Sequence, residues 1–138
     1  MLIAAFVILG FAVLLGSALA VLHLRTQPGA AASSPVKSWP VVPWFVVSWP
    51  VAALHGLLGV GGLICLVLAL RGPPHGIAQG TASFGAIAAT LFALAALAGG
   101  AILATQLRKR RRAGALIGVH AAFAVSGFVI LAAYLLAG

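Results

Sequence analysis

The sequence contains neither aspartate nor glutamate among its 138 residues. Without a carboxylate side chain, paired-carboxylate hydrolysis, serine–histidine–aspartate triads and carboxylate-ligated metal sites have no residues to work with. Small four-helix exporters that couple drug efflux to a proton on a membrane-embedded carboxylate are disfavoured for the same reason. The absence of acidic residues therefore argues against most hydrolytic and proton-coupled transport functions.

Cysteine is almost absent as well. Cys65 is the single thiol, and one thiol cannot close an internal disulfide, so membrane thiol oxidases and reductases that use cysteine pairs are excluded. We interpret Cys65 as a small apolar side chain within an apolar segment. A glycine-rich phosphate loop with its lysine is also missing from the sequence.

Apolar residues are what the sequence has in abundance. They make up 64% of the chain against 6% charged residues, and the mean hydropathy is +1.24, far from the balance of a soluble domain. A membrane-spanning helix needs roughly 20 mostly apolar residues, and four segments qualify: about 3–22, 51–70, 83–107 and 114–137. We predict an all-α membrane protein, a single integral membrane domain over 1–138 with four transmembrane helices in a bundle.

The first apolar segment could also be a cleaved signal peptide, and two features argue against that. It has no basic stretch before it, and it is long enough to span a bilayer. We therefore expect a retained first helix.

Positive charge is concentrated in one place. Five of the eight basic residues form a single run between the third and fourth apolar segments, Arg108, Lys109, Arg110, Arg111 and Arg112. Nucleic-acid-binding proteins spread their charge over a solvated face, so we expect no nucleic-acid partner. A basic run between two spans is typical of a topology signal that contacts anionic lipid headgroups.

The distribution of charge over the connections predicts the orientation. Basic loops stay cytoplasmic, and the first and third connections hold seven of the eight basic residues, while the second holds only Arg71. We predict that loops 23–50 and 108–113 are cytoplasmic, that both termini lie outside, and that the membrane is a bacterial inner membrane.

The long first connection, 26–50, ends in a segment rich in tryptophan and proline. Tryptophan favours the headgroup level, so Trp39, Trp44 and Trp49 are predicted to anchor an interfacial loop. The prolines at this spacing are expected to prevent a continuous helix. The second helix would then begin with Ser48 as its cap and Pro50 in its first turn.

Two internal matches suggest a repeated hairpin. Residues 55–70 align with 120–135 at an offset of 65, which pairs His55 with His120, and residues 16–25 align with 99–108 at an offset of 83. One interpretation is a parallel 2+2 internal repeat, related by an axis along the membrane normal. The alternative is chance matching in a chain rich in Ala, Leu, Gly and Val.

The aligned histidines are the candidate functional residues. His55 lies five residues past Pro50 and His120 eight past Arg112, so both sit roughly 8–12 Å into their helices from the same side. Neutral imidazole is a common axial ligand of haem iron, and two would close both axial positions. Small residues one and two turns further along could leave room for a porphyrin, namely Gly59, Gly62, Ala124 and Gly127. Arg108–Arg112 could pair with the propionates.

Matched histidines on neighbouring helices of a small bundle resemble the four-helix membrane b-type cytochromes, such as cytochrome b561. This resemblance implies haem b held by His55 and His120, and electron exchange with quinone, ascorbate or a partner oxidoreductase. The second histidine pair of that family is missing, because His23 and His75 fall on opposite membrane sides. The resemblance therefore implies one haem rather than two.

Other functions stay open at this point. The histidines could be interfacial anchors or interhelical hydrogen-bond partners. The chain could be a non-catalytic accessory subunit of a larger respiratory or photosynthetic complex, with other membrane subunits as partners. A third interpretation is a lipid- or quinone-binding module that uses the tryptophans and the basic run. Whether the chain is an enzyme stays open, and an electron carrier or accessory subunit is favoured over an enzyme by itself.

Overall fold

The computed structural model describes residues 1–25, 44–73, 77–78, 80–108 and 114–137, and it describes 22–25 and 44–48 by their backbone alone. The described residues form four α-helices and no strand: α1 Leu2–Arg25, α2 Trp44–Leu70, α3 Phe84–Leu107 and α4 Gly114–Leu136. Each contains 20–24 residues apolar enough to cross a membrane, which at 1.5 Å per residue matches a hydrocarbon core about 30 Å thick. The prediction of a transmembrane four-helix protein is confirmed.

The surface of the helices is suited to lipid rather than to water. Only 11–17% of the residues in the most apolar stretch of each helix are buried inside the protein. Large side chains such as Leu57 and Leu97 are 72% exposed. A helix that is apolar on all sides and mostly uncovered is stable only where the surroundings are apolar too. The composition and the exposure therefore lead to the same membrane assignment.

The helices pack as an up-and-down bundle in which each contacts its two neighbours. α1 packs mainly on α2 and α3 mainly on α4, and smaller interfaces join α1 to α4 and α2 to α3. Helices α2 and α4 thus lie diagonally across the bundle. Met1, Leu70 and Tyr134 line one cleft, so the N-terminus and the C-terminal ends of α2 and α4 share one end of the bundle, opposite Arg108.

The turn between α2 and α3 follows from local sequence. Helix α2 ends in tight turns in which the N–H groups of Arg71 and Gly72 donate to the carbonyls of Leu68 and Ala69, and Pro73 cannot continue the helix. Gly80 has a positive φ of 69°, a conformation that costs glycine little. The connection between α2 and α3 therefore covers only 71–83.

Helix α2 begins earlier than the sequence predicts. It starts at Trp44, directly after Pro43 in the sequence, and it continues through Ser48 and Pro50. The expectation that Ser48 caps the helix and Pro50 opens it is wrong. One internal proline removes a single backbone hydrogen bond, whereas leaving several backbone groups unpaired near lipid costs several kcal/mol each, so membrane helices tolerate proline. The rest of the predicted interfacial loop, 26–43, lies outside the described residues.

Candidate functional site

The two histidines occupy matching places in their apolar spans. His55 is the seventh residue of the span Trp49–Leu70, and His120 is the seventh residue of α4. Both therefore lie about 9 Å from the start of their spans. Both spans start at the end of the bundle that carries Arg108. The two histidines therefore lie at one level within the apolar region.

The structure brings the two rings together in the middle of the bundle. The ring centroids of His55 and His120 are 5.7 Å apart, and the ring planes meet at 78°, an edge-to-face contact. Because α2 and α4 are diagonal, this contact crosses the bundle interior rather than its lipid-facing surface. Both side chains are half-buried. The convergence predicted from the aligned positions is thus present in the fold.

Each ring is held by a backbone carbonyl of the neighbouring helix. His55 Nδ1 lies 2.9 Å from the Ala12 carbonyl oxygen on α1, and His120 Nδ1 lies 2.7 Å from the Ala95 carbonyl oxygen on α3. A carbonyl oxygen can only accept, so in both rings Nδ1–H is the donor. In a neutral imidazole the proton on Nδ1 leaves Nε2 with its lone pair. Both Nε2 atoms are therefore prepared to bind a metal, as in sites where an outer hydrogen bond fixes the tautomer.

Sequence reasoning missed the two accepting alanines. A backbone acceptor carries no side-chain signature, and alanine is common throughout this chain. A signal was nonetheless present, because Ala12 and Ala95 are 83 residues apart, the offset of the second internal match. Each alanine precedes the aligned glycine of its helix by one turn.

The same two offsets recur through the buried core. In three pairs of residues 83 apart on α1 and α3, and in two pairs 65 apart on α2 and α4, both members are buried. The pairs are Ala5 and Ala88, Leu9 and Phe92, Ala12 and Ala95, Gly62 and Gly127, and Leu66 and Leu131. A Cβ on Gly62 would meet Ile8 and Leu9, and a Cβ on Gly127 would meet Leu91 and Phe92. The two hairpins therefore share their interhelical contacts as well as their sequence matches.

The bundle divides into a packed half and an open half at the level of the histidines. All the described buried residues lie on the side of Met1 and Tyr134, and Ala12 and Ala95 are the last of them. On the other side no described residue of 13–21, 49–61, 96–107 or 114–126 is buried. The histidines therefore lie where a close-packed core gives way to helices with partly uncovered apolar faces.

The predicted small residues take two different roles. Gly62 and Gly127 are covered by side chains of the adjacent helix, where they allow close helix packing. Gly59 has open space where its Cβ would be, and Ala124 is half-buried. Of the four, Gly59 and Ala124 lie in the open half of the bundle with the histidines.

The predicted charged and aromatic residues are only partly described. Arg108 caps α3 and is exposed at the histidine-side end of the bundle, while 109–112 lie outside the described residues. Trp49 is 57% exposed near the start of its span, where a lipid-facing interfacial anchor is expected. Trp39 and the side chain of Trp44 lie outside the described part. A cleft of about 300 Å³ at the opposite end contains no histidine.

Among the described residues, His55 and His120 are the candidates for holding a metal-containing cofactor. No group of three or more histidine, cysteine or acidic residues occurs within the described ranges, so two imidazoles are the available donors there. Two nitrogens sharing one metal lie about 4 Å apart, at bonds of about 2 Å each, and the two ring centroids here are 5.7 Å apart in an edge-to-face contact. A porphyrin supplies the other four ligands itself, and the open half of the bundle offers apolar faces beside the rings.

Comparisons of the chain with protein-family models, with curated proteins and with solved structures found no match.

Proposed function

We propose that this chain is a small membrane electron carrier that holds one haem b between His55 and His120. The observation that carries the proposal is the meeting of two imidazoles within the membrane, each with Nδ1–H bonded to a backbone carbonyl. Burying a polar side chain in a membrane helix is costly and marks functional positions. Here two half-buried imidazoles lie at one level, and each has the same ring nitrogen, Nε2, free of the carbonyl hydrogen bond.

The residues of the chain define what kind of haem protein this would be. Bound haem iron carries single electrons by alternating between its ferrous and ferric forms. His55 and His120 would be the two side chains that hold the haem, and the haem would supply one-electron chemistry. The carbonyls of Ala12 and Ala95 hold the ring orientation, which reduces the rearrangement that ligation requires. Such a site suits electron exchange with a quinol or a partner oxidoreductase.

The end of the bundle that carries Arg108 bears on propionate binding and on the orientation of the protein in the membrane. Arg108 is exposed at the histidine-side end, and the neighbouring run 109–112 adds four more charges. These side chains would pair with the anionic propionates. By the positive-inside rule this end faces the cytoplasm of a bacterial inner membrane, and both termini face outside.

We further infer that the two hairpins derive from one duplicated unit. The support is the recurrence of contacts at offsets of 83 and 65, down to the hydrogen bond that holds each histidine. Chance matches in a biased sequence have no reason to fall on equivalent packing positions. A parallel repeat of this type places equivalent residues about an axis along the membrane normal, and such an axis would relate the two haem ligands.

The test is a visible spectrum of the purified full-length chain, recorded oxidised and dithionite-reduced, after expression with adequate haem supply. We expect a Soret band and the sharp reduced α-band of a six-coordinate b-type haem. His55→Ala and His120→Ala should each abolish or strongly reduce it. His23→Ala and His75→Ala serve as matched controls and should leave the spectrum unchanged.

A preparation of folded wild-type chain that takes up no haem, even after addition of hemin, would overturn the proposal. So would a spectrum that survives loss of both His55 and His120. In either case, the accessory-subunit hypothesis would be tested next by co-purification of larger membrane subunits.

A further inference from the structure

Two glycines lie directly against the histidine rings. Gly16 is one turn beyond Ala12 on α1, and Gly99 is one turn beyond Ala95 on α3. Residues four apart lie on the same face of a helix. Each histidine ring that bonds to the carbonyl of Ala12 or Ala95 therefore also contacts the glycine one turn further along the same helix.

The contact at Gly16 is the tighter of the two. A Cβ there would lie 2.7 Å from His55 Cε1, 3.2 Å from Nδ1 and 3.4 Å from Nε2. Carbon atoms in good contact are about 3.5–4.0 Å apart, so any side chain would force the ring away. Cε1, the ring atom between the two nitrogens, is therefore the atom of His55 nearest to Gly16.

The contact at Gly99 is related but looser. A Cβ at Gly99 would lie 3.3 Å from both Cε1 and Nδ1 of His120, and Nε2 is not among the atoms within 4 Å. A shift of a few tenths of an ångström would accommodate a methyl group. The two halves of the site therefore share one design but differ in how firmly they hold the ring.

We propose that Gly16 and Gly99 are positioning residues that let each imidazole lie against the adjacent helix and so fix its Nδ1–H tautomer. The pattern is Ala-x-x-x-Gly on α1 and on α3, with the alanine carbonyl as acceptor and the glycine as the surface on which the ring rests. A side chain at Gly16 would push the His55 ring away from its carbonyl, whereas a methyl group at Gly99 would displace the His120 ring only slightly. The consequence for haem binding rests on the proposed function, whereas the tautomer does not.

The test compares four single variants of the full-length chain in detergent micelles: Gly16→Ala, Gly99→Ala, and the controls Gly56→Ala and Gly100→Ala. A Cβ at either control position would meet nothing within 4 Å. The first readout is the ¹⁵N spectrum of histidine-labelled protein without haem, which distinguishes protonated from unprotonated ring nitrogens. The second readout is hemin affinity by Soret titration.

We expect the wild type to show Nδ1–H tautomers for His55 and His120. Gly16→Ala should disturb the His55 resonances and lower hemin affinity by about 10–100-fold, the usual effect of losing an outer partner of a metal ligand. Gly99→Ala should disturb only His120, and less. Both controls should match the wild type, and Gly99→Ala keeps the test informative if Gly16→Ala does not fold.

Nε2–H tautomers in the wild type, or unchanged His55 resonances in folded Gly16→Ala, would overturn the proposal. The two hypotheses fail separately. Expected tautomers in a chain that binds no hemin would retain the positioning role and reject the haem. Hemin binding that is unaffected in both Gly16→Ala and Gly99→Ala would retain the haem and reject the positioning role.

Discussion

Replacing Gly62 by alanine tests the close packing between α1 and α2. A Cβ at Gly62 would lie 2.7 Å from Leu9 Cγ and 2.8 Å from Leu9 Cδ2, about 1 Å inside ordinary carbon contact. Leu9 is 1% exposed, so its side chain has no free volume into which to move. Overpacking of this kind costs about 1–3 kcal/mol.

A neighbouring glycine isolates that cost from backbone effects. Glycine to alanine in a helix interior gains about 1 kcal/mol, and Gly61→Ala should show this gain alone because its Cβ would meet nothing within 4 Å. Gly62→Ala should therefore be about 1–3 kcal/mol less stable than Gly61→Ala. Gly127→Ala, whose nearest contacts would be at 3.3 Å, should lose less than about 1 kcal/mol on the same comparison.

The assay is reversible unfolding of the full-length chain by SDS titration in mixed micelles, followed by circular dichroism. Equal stability of Gly62→Ala and Gly61→Ala would refute the reasoning, because it would mean that α1 and α2 do not approach closely at Leu9. A larger loss for Gly127→Ala than for Gly62→Ala would contradict the order of the contact distances, 2.7 Å at Gly62 and 3.3 Å at Gly127.

Two further predictions concern assembly and orientation. Phe6 on α1 and Phe128 on α4 stack with ring centroids 4.9 Å apart and an interplanar angle of 17°. A double-mutant cycle with Phe6→Leu and Phe128→Leu should therefore give a coupling free energy of about 0.5–1.5 kcal/mol. Strictly additive effects would contradict a contact between the two helices. Ser83 and Gln106 are both exposed, and they lie at opposite ends of the bundle. In a Cys65→Ala background, an impermeant thiol reagent should label Ser83→Cys in intact cells and Gln106→Cys only after permeabilisation. The reverse labelling pattern would mean that the proposed topology is inverted.

The haem proposal and the positioning proposal depend on different atoms of the same two residues. The first needs Nε2 of His55 and His120, and the second needs Nδ1 and the glycine beneath each ring. Substitution of the histidines removes both at once, whereas the glycine variants keep the ligands and change only their support. The two sets of variants together therefore separate ligation from orientation.

The spans could be read from the sequence because hydropathy is a local property. Segments of about 20 apolar residues without charge have one stable environment, and the predicted bounds of α3 and α4 agree with the structure to within one residue. The start of α2 could not be obtained in this way. Whether a helix continues through Pro50 depends on what else would satisfy the backbone of 44–49, which is not encoded in residue propensity.

The roles of the glycines show the same limit. Gly59 and Gly62 are both small residues on the face of His55, and the sequence treats them alike. In the fold Gly62 is covered by Leu9, whereas Gly59 has open space beside it. The difference arises because the described buried residues of α2 lie at Gly62 and beyond, whereas no described residue of 49–61 is buried.

The sequence by itself determined that this chain has four segments long and apolar enough to cross a membrane, and that His55 and His120 lie at similar distances from the starts of two of them, because apolar length and helical rise are fixed by the chain alone. Only the tertiary structure decided that the rings meet across the bundle diagonal and that each donates Nδ1–H to a carbonyl of the helix beside it. These features depend on the rotation and spacing of four helices relative to one another. Each helix is apolar on all its faces, and such a sequence does not specify which face turns inward.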